Sequence, residues 1–166
     1  EMCTTYGPRW RMVIIGAGQL SLYTADFAIA SDFEVIVIDP REEYGEGLNR
    51  SDVTFIQGMP DDVLLEIGVD PHTAVVALTH DPKLDDMALM EALKSSAFYV
   101  GALGSKKNTQ KRKERLLEFD VSKEEVEKLY GPVGLSIGAL TPPEIAVSIL
   151  AEVIAVKYGV NLPKKG

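Results

Sequence analysis

Short runs of aliphatic, often β-branched residues alternate along this chain with longer segments whose apolar residues recur at helical spacing. Met12-Val13-Ile14-Ile15 is apolar throughout and is expected as a strand covered on both faces. A Gly-Ala-Gly turn follows, then a helix from about Gln19 to Ala30 with Leu20, Tyr23, Phe27 and Ala30 on its expected inner face. Glu34 to Ile38 repeats the strand pattern and ends on Asp39-Pro40-Arg41. An acidic, glycine-containing loop over 42–52 leads to a short strand, Val53 to Ile56. Pro60 opens a helix that Gly68 stops.

The same alternation continues to the end of the chain. A fourth strand is expected over Ala74 to Leu78, and Asp81 caps the next helix with Pro82 at its first position, where a missing N–H costs nothing. Phe98 to Val100 reads as a fifth strand, followed by a basic helix, a polar helix over Ser122 to Leu129 and a strand-like piece around Pro132 to Ile137. The final helix begins at Thr141-Pro142-Pro143-Glu144, a capping box, and carries Ile145, Ile149, Val153 and Val156 toward the sheet. Strands alternating with helices specify an α/β fold: a Rossmann-like, doubly wound parallel sheet in three layers, α/β/α. The 166 residues suffice for one core, placed at 11–160, with an N-terminal extension over 1–10 and a tail over 161–166.

Composition narrows the partners. A net charge of −8 argues against non-specific nucleic-acid binding, and a single cysteine, Cys3, fits a reducing cytoplasm. The longest apolar stretch, Ile145 to Val156, is interrupted by Ser148 and Glu152 and falls short of the ~20 residues a membrane span needs. No signal-peptide pattern opens the chain at Glu1.

Three places carry candidate chemistry. In Gly16-Ala17-Gly18-Gln19-Leu20-Ser21 the first glycine allows a tight bend and the second lets backbone approach a phosphate, while Ser21 fills the small third position. The helix start then offers its N–H groups and dipole to an anion. Asp39 ends the next strand at about the ~20-residue offset from which an acid takes a ribose hydroxyl. The competing reading pairs Asp39 with Arg41 and leaves the ribose out.

The second place is Gly104-Ser105-Lys106-Lys107. Six basic residues and one acid occupy 106–115, and lysines at a helix start are electrostatically unfavourable unless an anion compensates them. Lys111 to Arg115 are expected as a solvated helix face. The third is His80, after the fourth strand, which either faces a ligand or ties down its own loop. His72 is expected to be structural. Ligands of such sheets bind outside the carboxyl ends of the strands, so Gly16–Gln19, His80 and Gly104–Lys106 are expected around one crevice. The sequence contains no metal-ligand cluster, nucleophile elbow or Walker lysine, and no catalytic residue is assigned.

The order of motifs resembles the C-terminal Rossmann domain of the XdhC/CoxI family, the xanthine dehydrogenase accessory factors. The resemblance lies in Val13-Ile-Ile-Gly-Ala-Gly18, Val37-Ile-Asp-Pro-Arg41, Leu78-Thr-His-Asp81 with Asp85-Asp86, and Tyr99-Val-Gly-Ala-Leu-Gly-Ser-Lys-Lys107. It continues through Gly134-Leu-Ser-Ile-Gly138 and Thr141-Pro-Pro-Glu-Ile-Ala-Val-Ser-Ile-Leu-Ala-Glu152. It implies a cofactor chaperone more than an enzyme, one that binds molybdenum cofactor (molybdopterin) and delivers it to a xanthine dehydrogenase-like molybdenum hydroxylase. A cofactor-sulfurating enzyme would be a further partner, and a homodimer is compatible with the reading.

Three features depart from the family pattern. The family's usual N-terminal domain is not seen, Gln19 stands where the glycine turn commonly has His, and Leu140 and Pro143 replace common acids. An NAD(P)-dependent oxidoreductase and an NAD- or ATP-sensing regulatory module remain the alternatives, with NAD(P) then the cofactor.

Overall fold

The computed structural model describes residues 9–41, 48 and 50–162. Most of the loop read over 42–52 and most of the two terminal extensions therefore lie outside the described residues. Six strands, β1 (Arg11–Ile15), β2 (Glu34–Ile38), β3 (Val53–Ile56), β4 (Thr73–Ala77), β5 (Tyr99–Ala102) and β6 (Leu129–Tyr130), form one sheet in the order β3-β2-β1-β4-β5-β6. All five pairings are parallel. The helices are α1 (Gln19–Ala30), α2 (Pro60–Ile67), α3 (Pro82–Ala92), α4 (Lys106–Glu118), α5 (Lys123–Val126) and α6 (Pro142–Lys157).

Strand residues alternate between two cores. Met12, Ile14, Val35, Val37, Ala74 and Val76 pack with Ala28 of α1 and Ile149 and Val153 of α6. Val13, Ile15, Ile36, Ile38, Val75 and Ala77 pack instead with Leu64 of α2, Leu89 of α3 and Leu116 of α4. Burial on both faces is why the strands read as unbroken apolar runs, each large side chain contributing about 1.5–3 kcal/mol. The caps follow the sequence. Asp81 accepts from Lys83 N–H, Thr141 and Glu144 close a capping box, and α2 ends at Gly68 with φ +69.

Several local expectations shift. The buried face of α1 is Leu20, Ser21, Thr24, Ala25 and Ala28, while Tyr23 and Phe27 are half-buried and Ala30 is exposed. Small residues let the helix lie close to the sheet, and the aromatic pair flanks that contact. β5 runs on through Gly101 and Ala102, which pair with Val76 and Ala77 of β4, and a Cβ at Gly101 would press on the Tyr99 ring and Val133 within 2.8 Å. The polar helix is only the short α5, and the sixth strand is Leu129–Tyr130. Residues 132–137 form no strand: Val133 N–H still reaches the Ala102 carbonyl of β5, but the amides of Gly134 and Leu135 bond to Glu152 and to the carbonyl of Ser148, both on α6. His72 is structural as read, its ring edge-on to Trp10 at 4.7 Å.

β1 lies between β2 and β4, and the chain crosses from the β3 edge back to β4. The carboxyl ends of β1 and β4 therefore form the switch point at which open α/β sheets hold ligands.

Candidate functional site

Gly16 and Gly18 serve different ends. Gly16 has φ +107, and a Cβ there would come within 2.9 Å of Thr79 Cα, so the loop after β4 demands a glycine. Gly18 has φ −82 and a Cβ there would meet nothing within 4 Å. Nothing in the described chain requires Gly18. It is the N-cap of α1 yet no side chain caps that helix, and no acid lies in its first turn. The positive end of α1 thus faces the switch point with bare backbone. Gln19 is exposed, and Ser21 is fully buried with an Oγ that finds no hydrogen-bond partner.

Asp39 lies fully buried at the end of β2. Its Oδ2 accepts from Ala17 N–H at 2.9 Å and from Arg41 Nη2 at 2.8 Å. Its Oδ1 accepts from Arg41 N–H and Nε, both at 2.9 Å. Burial alone would push this carboxyl up, but the Arg41 side-chain, Arg41 backbone and Ala17 hydrogen bonds together hold it below its ordinary value. Both oxygens are thereby spent on the chain, and a ribose hydroxyl would have to compete with Arg41.

The turn after β4 is built on a buried acid. Asp85 of α3 accepts from Thr79 N–H at 3.1 Å and from Thr79 Oγ1 at 2.7 Å. Thr79 Oγ1 also meets Asp81, accepting from its N–H at 2.9 Å. This clamp presses Thr79 against Gly16 and holds His80 exposed at φ +65, a conformation few non-glycine residues adopt. Burial pushes the Asp85 carboxyl up, against the hydrogen bonds from Thr79 and the nearby Arg112 and His80.

At the end of β5, Gly104 has φ +144 and Ser105 caps α4 by accepting from Asn108 N–H at 3.0 Å. Lys106 and Lys107 are exposed at the helix start. The two sides of this start open onto different clefts. Gly104 and His80 line one of about 330 Å³ with Asn108, Lys111 and Arg112, on the side of α3. Lys106 lines another of about 320 Å³ with residues 132–139 and Ile145, on the side of α6. The structure thus brings Gly16 against the His80 turn and His80 beside Gly104, and places Lys106 on the far side of Gly104.

A buried pair on α6 and β5 gives a role to residues that the sequence motifs left without one. Glu152 on α6, nearly inaccessible, accepts from Tyr99 Oη at 2.5 Å and from Gly134 N–H at 3.0 Å. Burial, then the Glu152 charge and hydrogen bond, push the Tyr99 phenol well above its ordinary value, and it acts here as a donor. Gly134 has φ +95 and sits on Ser148 so closely that no Cβ fits. The loop carrying Gly134 to Ala139 is thus seated on α6 beside Lys106. Two missed residues had a sequence signal: Asp85 shares the i, i+3, i+4, i+7 stripe with Ala88, Leu89 and Ala92, and Glu152 interrupts the apolar run of α6.

The basic run is also not a uniform solvated face. Arg112 is buried, donates from Nε to Asp86 at 2.9 Å and from Nη1 to the Leu103 carbonyl at 2.8 Å, while Arg115 shares the same Asp86. Among the described residues no group of three or more His, Cys, Asp or Glu is placed to hold a metal ion, and no helix is long and apolar enough to cross a membrane.

Known proteins are similar to this chain in fold and sequence. A solved structure described as a xanthine dehydrogenase from Bacillus halodurans superposes with a TM-score of 0.79 at 33% identity, over 96% of this chain and 46% of that one. A probable xanthine dehydrogenase subunit of Bacillus subtilis is 36% identical over 89% of this chain and 43% of its own length. The molybdenum cofactor insertion chaperone PaoD of Escherichia coli is 37% identical over 54% of this chain and 28% of its own. The chain thus spans less than half the length of these relatives. The family model for the XdhC Rossmann domain matches residues 12–153, from β1 into α6, and the chain belongs to that family.

Proposed function

We propose that this domain binds the phosphate-bearing pterin of molybdenum cofactor at the switch point, and serves the maturation of a xanthine dehydrogenase-type molybdenum hydroxylase. The observation that carries the reading is Gly18: a glycine at the N-terminus of α1 that the packing of the described residues does not require. Backbone free of a side chain there leaves room for an oxygen-rich anion, and the α1 dipole favours its charge. Names among the relatives, a molybdenum cofactor insertion chaperone and a probable xanthine dehydrogenase component, support the same direction.

Residues 16–19 would hold the phosphate. Lys106, with Lys107 beside it on the α4 start, would supply positive charge across the switch point, and the loop 134–139 an apolar wall for the pterin. Asp39 already binds Arg41 and Ala17, which suits a ligand gripped by its phosphate more than a dinucleotide gripped by a ribose. On this reading the chain holds and hands over its ligand without turning it over, in the company of the hydroxylase and of a cofactor-sulfurating enzyme.

Mass spectrometry of the small molecule that copurifies with the protein tests this reading. A phosphorylated pterin is expected. NAD(P) or an adenine nucleotide in its place would make the domain an oxidoreductase or sensor module instead.

A further inference from the structure

The cleft on the α3 side of Gly104 is lined by more cations than acids, and the pterin reading does not use them. Arg112 is buried and Arg115 half-buried, and both guanidinium groups donate to one carboxylate, Asp86: Arg112 Nε at 2.9 Å, Arg115 Nε at 2.9 Å and Nη2 at 3.3 Å. The second acid at the cleft, Asp85, is committed to Thr79 through its Oδ1. Lys111 and His80 complete the basic lining, and Asn108 adds an amide. Three permanent cations and one acid, Asp85, line the cleft, and Asp86 pairs with two of the cations, in a chain whose net charge is −8.

Two helix starts point at the same space. Pro82, the first residue of α3, and Gly104 and Asn108, at the start of α4, all line it. The α3 start is already capped by the Asp81 carboxylate, whereas the α4 start has only the neutral Ser105 cap and adds its dipole to the field of the arginines. A cleft of about 330 Å³ is at the small end of ligand sites, the right scale for one compact anion rather than a pterin or a dinucleotide.

We infer that the cleft between α3 and α4, lined by His80, Asn108, Lys111, Arg112 and Arg115, is a second anion site, separate from the Gly18 turn, for a phosphate or pyrophosphate group. Asp86 takes the Nε of both arginines and the Leu103 carbonyl takes Nη1 of Arg112, so an anion here would be held by the remaining guanidinium N–H groups and the exposed Lys111 ammonium. The group is either an inorganic ion or the phosphate end of a nucleotide. The site rests on different residues from those assigned to the pterin, and it stands or falls without them.

The experiment is a ¹⁵N–¹H NMR titration of the protein with inorganic pyrophosphate and, separately, with adenosine diphosphate, at constant ionic strength. Saturable shifts are expected on His80, Gly104, Asn108 and Lys111, with little change at Gly16 to Ser21. Lys111→Gln/Arg115→Gln should weaken binding tenfold or more, while Lys123→Gln/Lys128→Gln and Gly18→Val leave it unchanged. Lys111→Gln alone, at an exposed position, should still weaken it several-fold if the double variant does not fold. A tighter fit for adenosine diphosphate assigns the group to a nucleotide, and equal affinities assign it to the inorganic ion. The site is refuted if shifts never saturate, if they centre on Gly16 to Ser21, or if both lysine-bearing double variants lose affinity alike.

Discussion

The starts of α1 and α4 follow neighbouring regions of the same sheet edge and solve the same problem in opposite ways. The α1 start has no side chain at Gly18, no capping side chain and no charge in its first turn. The α4 start has a serine cap, two exposed lysines and, one turn on, a buried arginine. Bare backbone presents a fixed dipole and room for close approach, whereas a capped, charged start presents field at a distance. A site that uses both would take its geometry from α1 and part of its charge from α4.

The largest expected effect separates the two glycines of the α1 turn. Gly16→Ala forces a side chain to φ +107 and to within 2.9 Å of the Thr79 backbone, and should cost about 3 kcal/mol or more of stability. Gly18→Ala at φ −82 should cost only the weaker N-cap, about 1 kcal/mol or less. Urea unfolding of both variants decides the matter, and equal losses would erase the distinction between a glycine the fold needs and one it does not.

Asp39 should come next. Its carboxyl sits below the ordinary 3.8, so its contribution is present above that pH and lost as pH falls through the folded-state value. Asp39→Asn is expected to lose about 1–3 kcal/mol at pH 7, with the gap to wild type closing on acidification below pH 4. A gap that stays constant with pH would mean that the carboxylate charge is not what ties the α1 turn to Arg41.

The smallest effect on the fold belongs to α4. Lys106→Ala/Lys107→Ala should leave the melting temperature unchanged or slightly raised, because repulsion at a helix start is relieved. Molybdopterin affinity measured by calorimetry should fall about tenfold, or ~1.4 kcal/mol. An early melting transition without ligand would make these lysines structural.

What the sequence made legible follows from the same contrast. Gly16, the strands β1 to β3 and the capped starts of α3 and α6 were readable because local sterics and hydrogen-bond chemistry determine them. The split between Lys106 and His80 into two clefts was not, because it depends on which side of Gly104 each side chain leaves. Nor was the burial of Arg112, since charge along a helix looks the same whether it meets water or Asp86 on a neighbouring helix. Residues 132–137 read as a strand from their apolar content, yet the amides of Gly134 and Leu135 are claimed by Glu152 and Ser148, partners 13 or more positions away that local pattern does not reveal.

The most direct test is Gly18→Val, titrated calorimetrically with molybdopterin. Valine is compatible with the extended backbone at φ −82 and ψ −171, so the variant should fold, with stability lowered by no more than about 1–2 kcal/mol for an aliphatic N-cap. Its branched side chain would occupy the space left for the phosphate, and binding should weaken beyond tenfold, to the point of vanishing from the titration. A folded Gly18→Val protein that binds molybdopterin as tightly as wild type would contradict the assignment of the α1 turn as the ligand site.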